Sequence, residues 1–352
     1  MRCYCVKEHG APLQEINLPI PQPQGTQVLI KVQAAGLCHT DLHLWDGYYD
    51  LGQGKKLSLA ERGVKPPLTL SHEISGEVVA YGDQVENLTL GSQALLHPWI
   101  GCSHCRYCQN DQENLCLKPQ QLGIVKPGGF AEYILVPHPR YLVDLQGLDP
   151  AQAAPLACAG LTTFSALNKF GPKIQDQPVV VIGAGGLGLM ALTLLNAQQA
   201  KGAILVDIDD EKLNVAQQLG ALATVNSQSP DATQQLQHLT DGGASFILDL
   251  VGSHQSLDFA LKNAARGAHI VVCGLMGGEV QLAIPTIAMR PITIQGSYVG
   301  TVQELRALLD LVRERELSMI PIQTRPINEV NQAFHDLQQG KVTGRVVLLH
   351  AS

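Results

Sequence analysis

Charge is scarce in this 352-residue sequence: Asp, Glu, Lys and Arg make up 16% of it, against about 25% in an average globular chain. The charge that is present runs acidic, with 24 Lys and Arg against 31 Asp and Glu and a formal net charge of -7. Proteins that neutralise phosphate backbones concentrate Lys and Arg on one face, so nucleic acid is excluded as a first partner. No stretch reaches the roughly 18 uncharged apolar residues of a membrane span, and the N-terminal MRCYCVKEHGAPLQEINLPIPQPQG lacks an apolar core of signal-peptide length. The expectation is a cytoplasmic protein with no membrane partner. Internal repeats and low-complexity tracts are absent as well. Apolar residues make up 45% of the chain, which excludes disorder on a large scale, and the length suits two folded units.

Cysteine is not scarce. There are nine, an odd number, and four of them fall within fifteen residues. In a reducing compartment this pattern reads as metal ligation rather than a disulfide framework.

Up to about residue 159, short apolar alternations such as VLIKV (28 to 32), EISGEVVAYG (73 to 82) and FAEYILV (130 to 136) are separated by Pro and Gly turns, which predicts a mostly β region. From residue 178 the texture changes: VVVI, AILVD, ATV, SFILDLV and AHIVVCG alternate with helix-length segments. Alternation of this kind predicts βαβ units and a parallel sheet, so the fold class is α/β. VQELRALLDLVRE reads as an amphipathic helix, and RVVLL as a closing strand.

Gly183-Ala184-Gly185-Gly186-Leu187-Gly188 follows VVVI directly. In a dinucleotide fold the first glycine permits the tight turn, the second lets backbone approach the pyrophosphate, and the third packs helix on strand; the helix N-terminus then offers free N–H groups to the anion. Asp207 ends the next strand nineteen residues after Gly188, where an acid hydrogen-bonds ribose hydroxyls and repels a 2′-phosphate. NAD is preferred over NADP. The competing role for Asp207 is a helix N-cap ahead of DDEKL.

Cys102, Cys105, Cys108 and Cys116 are spaced C-x2-C-x2-C-x7-C. Four thiolates close a tetrahedral shell, as a structural zinc requires. An iron–sulfur run would have a last gap of three followed by proline, and a zinc ribbon a second Cys pair some 15 to 20 residues on; neither is present. A second set is dispersed: Cys38 opens CHTDLH, His72 and Glu73 precede a strand, and Cys158 lies in LACAGLTTFSAL. Two thiolates and one imidazole leave a fourth position open, the arrangement of catalytic zinc. His97 and most other histidines read as core or surface residues. His104 does too, because the four thiolates beside it already saturate an ion.

Taken together, AAGLCHTDLHLWDG, LSHEISGEVVAYGDQVENLTLGS, the four-Cys loop, CAGLTTFSAL, VVVIGAGGLGLMA, VDIDDEKL and KVTGRVVLL resemble, in order and over nearly the whole chain, the zinc-dependent medium-chain alcohol dehydrogenases. The resemblance implies a GroES-like β-rich catalytic domain over 1–159 and 301–352, a Rossmann doubly wound coenzyme domain over 160–300, and an active site in the cleft between them. It further implies two zincs per chain, NAD, a small-molecule alcohol or aldehyde substrate, and a homo-oligomer, with a tetramer favoured over a dimer. Cys38, His72 and Cys158 then match the catalytic zinc ligands, Glu73 an intermittent or neighbouring carboxylate, and Asp41 the acid that orients His72. Thr40 and His43 match the proton relay. His39 and Arg345 match pyrophosphate contacts, Thr162 a neighbour of the nicotinamide, Lys212 a contact of the adenosine ribose, and Trp45 and Trp99 the substrate pocket.

The chain departs from the family pattern in having Ser71 before His72 and Ser92 after Gly91, where the family usually has Gly and Asp. Cys158 and the four-Cys loop disfavour the polyol dehydrogenase branch, which commonly uses Glu as third ligand. A non-catalytic zinc and dinucleotide sensor is the reading from another class, and it is disfavoured by the presence of Cys38, His72 and Thr40. Between Cys38 and His72, thirty-four residues apart, a longer segment carries Lys55, Lys56, Arg62 and Lys65 against Glu61, a local excess of +3. Over a cleft mouth it would attract an ω-hydroxy acid such as 6-hydroxyhexanoate; a solvated loop is the favoured expectation. Cys3, Cys5 and Cys273 receive no role.

Overall fold

In the computed structural model, which describes residues 1–317 and 320–350, every residue of the strand Val179–Ile182 is buried. The pleat sends its side chains alternately to two faces. Val179 and Val181 join Leu205, Leu248 and Val271 in one apolar cluster, while Val180 and Ile182 join Ile204, Val206, Ile247 and Ile270 in another. A sheet covered on both faces requires such unbroken apolar runs. Six parallel strands stand in the order Ala223–Asn226, Ala203–Asp207, Val179–Ile182, Ala244–Asp249, Ala264–Val272 and Thr293–Gly296. This is the doubly wound order, which reverses between Val179–Ile182 and Ala244–Asp249 and so opens a crevice at their C-terminal ends. Helices Gly186–Ala197, Asp210–Gln218, Ala232–Leu239 and His254–Asn263 fill the crossovers.

The N-terminal part is built around the ten-residue strand Val28–Leu37. It runs antiparallel to Glu73–Tyr81, Tyr133–Val136 and Arg345–Leu349 in a seven-stranded sheet. Register shifts between Leu29 and Ile30 and between Val32 and Ala34 bend the strand, which lets it exchange partners along its length. Ile322–Pro326 extends the sheet parallel to Arg345–Leu349, so the end of the chain returns to the sheet with which it began.

Helix Val302–Glu314 turns Val302, Leu305, Leu308, Leu309 and Val312 inward and begins on a reciprocal cap, in which Thr301 Oγ1 accepts from Glu304 N–H and Glu304 accepts from Thr301 N–H. It packs on helix Ala159–Asn168, whose described side chains are buried around most of its circumference. Gly160 makes room for this: a Cβ there would stand 3.0 Å from Leu308 Cδ2. No helix among the described residues is long and apolar enough to cross a membrane.

The expectation of a solvated loop after Cys38 holds for its charges, since Lys55, Lys56, Glu61, Arg62 and Lys65 are all exposed, and is corrected for its backbone. Tyr48–Asp50 and Lys56–Ser58 pair as an antiparallel hairpin, followed by the helical turn Ala60–Arg62. The lysines face water, but Leu59 and Val64 are buried and hold the segment down.

His97 is wholly buried, its Nε2 lies 3.1 Å from the carbonyl of Gly300, and burial pushes its imidazole down to about 4. A histidine that is neutral when folded but titrates near 6.5 when unfolded lets the unfolded chain bind more protons below that pH. Stability is then lost as pH falls from 6.5 toward 4, by on the order of 3 kcal/mol for this residue. His97→Gln is expected to flatten the fall in melting temperature over that range at equal metal loading; an unchanged pH dependence would contradict the assignment.

Candidate active site

Cys38 directly follows the central strand and serves as N-cap of helix His39–Asp46. His72 stands directly before strand Glu73–Tyr81, and Cys158 directly before helix Ala159–Asn168. Their ligand atoms all lie within 4.8 Å of one another, and all three residues are buried. Asp41 ties them together. Its carboxylate accepts from Cys38 N–H at 2.9 Å and from Ser71 N–H at 3.0 Å, and lies 3.5 Å from His72 Nδ1. Ser71 adopts a left-handed φ of +71°, which explains why glycine suits the position; here the Ser71 hydroxyl offsets the strain by donating to Gly36 O at 2.9 Å.

The chemistry of this donor set fits a dication. The Cys158 S–H directed at Cys38 holds the Cys38 thiol well below its usual range, and the same contact holds Cys158 well above. Burial alone would lower His72, but Asp41 outweighs it and holds the imidazole above its usual range. His72 Nε2 is buried without a hydrogen-bond partner. A doubly charged ion with soft and imidazole preferences resolves both conflicts at once. Glu73 turns to Arg345, at 2.9 Å in a buried pair.

Sulfurs around a tetrahedral zinc at about 2.3 Å stand roughly 3.8 Å apart. In the four-Cys loop Cys102–Cys108, Cys105–Cys108 and Cys105–Cys116 stand at 4.0, 3.5 and 3.9 Å. Backbone N–H groups of Cys102 and Lys118 donate to Cys116 Sγ at 3.2 and 3.3 Å. His104 instead bonds the Cys102 carbonyl at 2.7 Å.

At the glycine turn, Gly183 takes a φ of +101°, and a Cβ on Gly188 would stand 1.8 Å from Gly183 O. A Cβ on Gly185 would meet nothing, so the turn presents bare backbone to open space where a pyrophosphate would approach. A Cβ on Gly186 would stand 3.6 Å from Arg345 Cζ, and buried Arg345 Nε has no partner. Asp207 accepts from Ala184 N–H at 2.6 Å and Ile208 N–H at 2.7 Å. It is not the helix cap: Asp209 is, accepting from Glu211 and Lys212 N–H, and Lys212 Nζ lies 3.6 Å from it.

A cavity of about 680 Å3 joins these parts. Cys38, His39, Thr40, His43, Trp99, Cys158, Thr162 and Leu187 line it. Trp45 does not, which corrects the pocket expectation. Two residues beyond His43 on a helix lies about 200° around its axis, so Trp45 faces away; it donates to Ala11 O at 2.6 Å and packs edge-on to Phe334. Sequence reasoning missed Tyr49, whose ring centroid is 4.7 Å from that of His43, and Tyr298, 5.9 Å from Trp99. Trp99 lies far from Tyr298 in the chain, and His43 meets Tyr49 only because the chain turns back after helix His39–Asp46, so no regular spacing announces either contact.

Residues 24–147 match the alcohol dehydrogenase GroES-like domain, and residues 186–314 the zinc-binding dehydrogenase domain. The chain is 35% identical over 350 residues to an NAD-dependent alcohol dehydrogenase of Sulfurisphaera tokodaii, covering 99% of this chain and all of that one. It is 33% identical to a D-arabinose 1-dehydrogenase (NADP+) of Saccharolobus solfataricus, covering 97% and 96%. The crystal structure of the alcohol dehydrogenase from Aeropyrum pernix superposes with a TM-score of 0.89 at 29% identity, covering 99% and 100%. The chain belongs to the zinc-dependent medium-chain alcohol dehydrogenase family.

The two glycines make separable predictions. Gly188→Ala is expected to lower the melting temperature, because its methyl has no space. Gly185→Val is expected to leave it unchanged while weakening NADH binding, measured by fluorescence titration, at least tenfold. Equal NADH affinity in Gly185→Val would remove this turn from the coenzyme site.

Proposed function

We propose that the chain interconverts alcohols and aldehydes or ketones with NAD, holding one zinc on Cys38, His72 and Cys158. The observation that carries this reading is the single cavity lined by that donor set, by Thr40 and His43, and by Thr162 and Leu187 next to the glycine turn. A zinc held by Cys38, His72 and Cys158 would supply Lewis-acid charge at the substrate hydroxyl, the chemistry that lowers the pKa of zinc-bound water from about 15.7 to about 7, and NAD bound at the glycine turn would supply the hydride acceptor.

The chain's own residues do the rest. Asp41 fixes the His72 ring, as acids behind ligating imidazoles do. Thr40 takes the hydroxyl proton at Oγ1, and His43, on the same helix, passes it to solvent. Burial holds the His43 imidazole below its usual range, so it is neutral and able to accept a proton at neutral pH. Glu73 stands behind the set as an intermittent carboxylate, paired with Arg345. The N–H groups of Gly185, Gly186 and Leu187 at the helix start receive the pyrophosphate together with His39 and Arg345, while Gly183, whose N–H donates to Val206 O at 2.7 Å, shapes the turn and Gly188 packs it against the strand. Thr162 borders the nicotinamide and Trp99 the substrate. Asp207, with Lys212 nearby, takes the adenosine ribose and selects NAD.

The four-Cys loop holds a second, structural zinc, giving two per chain. The unit boundaries are 1–159 with 301–352, and 160–300. The return of Arg345–Leu349 to the N-terminal sheet supports the first of these. The protein is cytoplasmic and a homo-oligomer, with a tetramer favoured over a dimer. The open edge Thr293–Gly296 with exposed Ile284, Met289 and Ile294 supports self-association. Cys158 as third donor and the many apolar residues of the cavity wall favour a simple alcohol over a polyol, and Thr40 and His43 on that wall favour an enzyme over a sensor.

The test is NADH formation on a panel of primary and secondary alcohols, with Cys38→Ser as the control. The wild type is expected to turn over, and Cys38→Ser to lose at least about a thousandfold in kcat, equivalent to several kcal/mol of Lewis-acid stabilisation. A normal rate in Cys38→Ser would contradict the assignment.

A further inference from the structure

The cavity wall carries one fixed charge for which the reaction has no use. Arg62 closes the turn Ala60–Arg62 and lines the cavity shared by Cys38, Thr40, His43 and Cys158. Among the described residues lining that cavity it is the only Lys, Arg, Asp or Glu. No ion pair or side-chain hydrogen bond among the described residues engages it: the ion pairs of the other arginines involve Arg2, Arg140, Arg313, Arg325 and Arg345. The adjacent Glu61 is exposed and does not line the cavity. The other cations of the segment are spent elsewhere. Lys55 and Lys65 are exposed and off the cavity, and the Lys56 ammonium lies over the Tyr48 ring at 3.6 Å from its centroid. Of the four positive charges that made this segment conspicuous, one faces the site.

Arg62 is exposed like its charged neighbours, so what sets it apart is its place on the cavity wall, where its planar guanidinium fork matches a carboxylate with two parallel hydrogen bonds. Leu57, Leu59 and Val64, the lining residues that flank Arg62 in the chain, bury methylene groups well but offer no side-chain partner to the hydroxyls of a sugar phosphate. We infer that Arg62 is a specificity-determining residue that selects alcohols bearing a carboxylate at the far end of an aliphatic chain. The carboxylate rests on Arg62, the methylenes on the leucine and valine wall, and the hydroxyl at the Cys38, His72 and Cys158 set. This inference rests on the alcohol dehydrogenase reading above and names the substrate class for it.

The test compares kcat/KM for 6-hydroxyhexanoate and 1-hexanol in the zinc-loaded wild type, Arg62→Ala, Arg62→Glu and the double variant Lys55→Ala/Lys56→Ala. Arg62→Ala is expected to lower the hydroxy-acid to alcohol ratio about fivefold, the upper scale of one charge-assisted contact at an exposed site. The loss should lie in KM for the hydroxy acid, with 1-hexanol little changed. Arg62→Glu is expected to lower the ratio further, and the double lysine variant to leave it within about twofold. A ratio that neither Arg62 variant moves, or that only the lysine variant moves, overturns the inference while turnover of 1-hexanol leaves the dehydrogenase reading standing. If the wild type oxidises neither compound nor any other alcohol of the panel, the dehydrogenase reading itself falls, and this inference with it.

Discussion

Two thiols and an imidazole are buried in contact, and without a dication their charges conflict: the proton that leaves Cys38 makes the next one harder to remove from Cys158. Much of the architecture serves to hold that conflict in place. The central strand delivers Cys38, the residue before a neighbouring strand supplies His72, and the start of a buried helix supplies Cys158. Asp41 binds the backbone at Cys38 and Ser71 and lies against His72, so the loop geometry and the imidazole orientation depend on one carboxylate. A donor set assembled from three distant segments and locked by such contacts is costly to bury unless an ion compensates it.

The same site lies at a seam. Asn114 in the four-Cys loop donates to the carbonyl of Tyr298 at 3.0 Å, and Leu115 and Cys116 line the cavity. The loop that carries the structural-type cysteines is thus also a wall of the site. On another side the hairpin after Cys38 reaches the glycine segment near residue 277, where a side chain on Gly277 would stand 2.5 Å from Asp50 O. Buried Glu113 pairs with Arg140 and fixes the four-Cys loop to the β-rich part. The cavity therefore takes its shape from elements more than 200 residues apart in sequence.

What the sequence made legible follows from the range of the constraint behind each feature. The glycine turn, the four-Cys spacing, the parallel strands and the amphipathic helix Val302–Glu314 are governed by local geometry, so residue spacing reveals them. The dispersed donors Cys38, His72 and Cys158 were visible only as a weak pattern until the ordered set of motifs joined them. Trp45 was misassigned because nearness in sequence to Thr40 and His43 ignores the helix rotation that turns it into the core. The hairpin is hard to read because its lysines hide Leu57, Leu59 and Val64; Tyr298 meets Trp99 only through the tertiary fold, and Tyr49 meets His43 only because the chain reverses after helix His39–Asp46.

The most direct test of the buried donor set is zinc stoichiometry, measured by mass spectrometry on the purified wild type and on folded Cys38→Ser and Cys105→Ser proteins. The account predicts two zincs per wild-type chain and one in Cys38→Ser. It also predicts that the zinc lost from Cys38→Ser differs from the one lost from Cys105→Ser, so that combining the substitutions removes both. One zinc in the wild type that survives Cys38→Ser would contradict the account and leave the metal in the four-Cys loop alone.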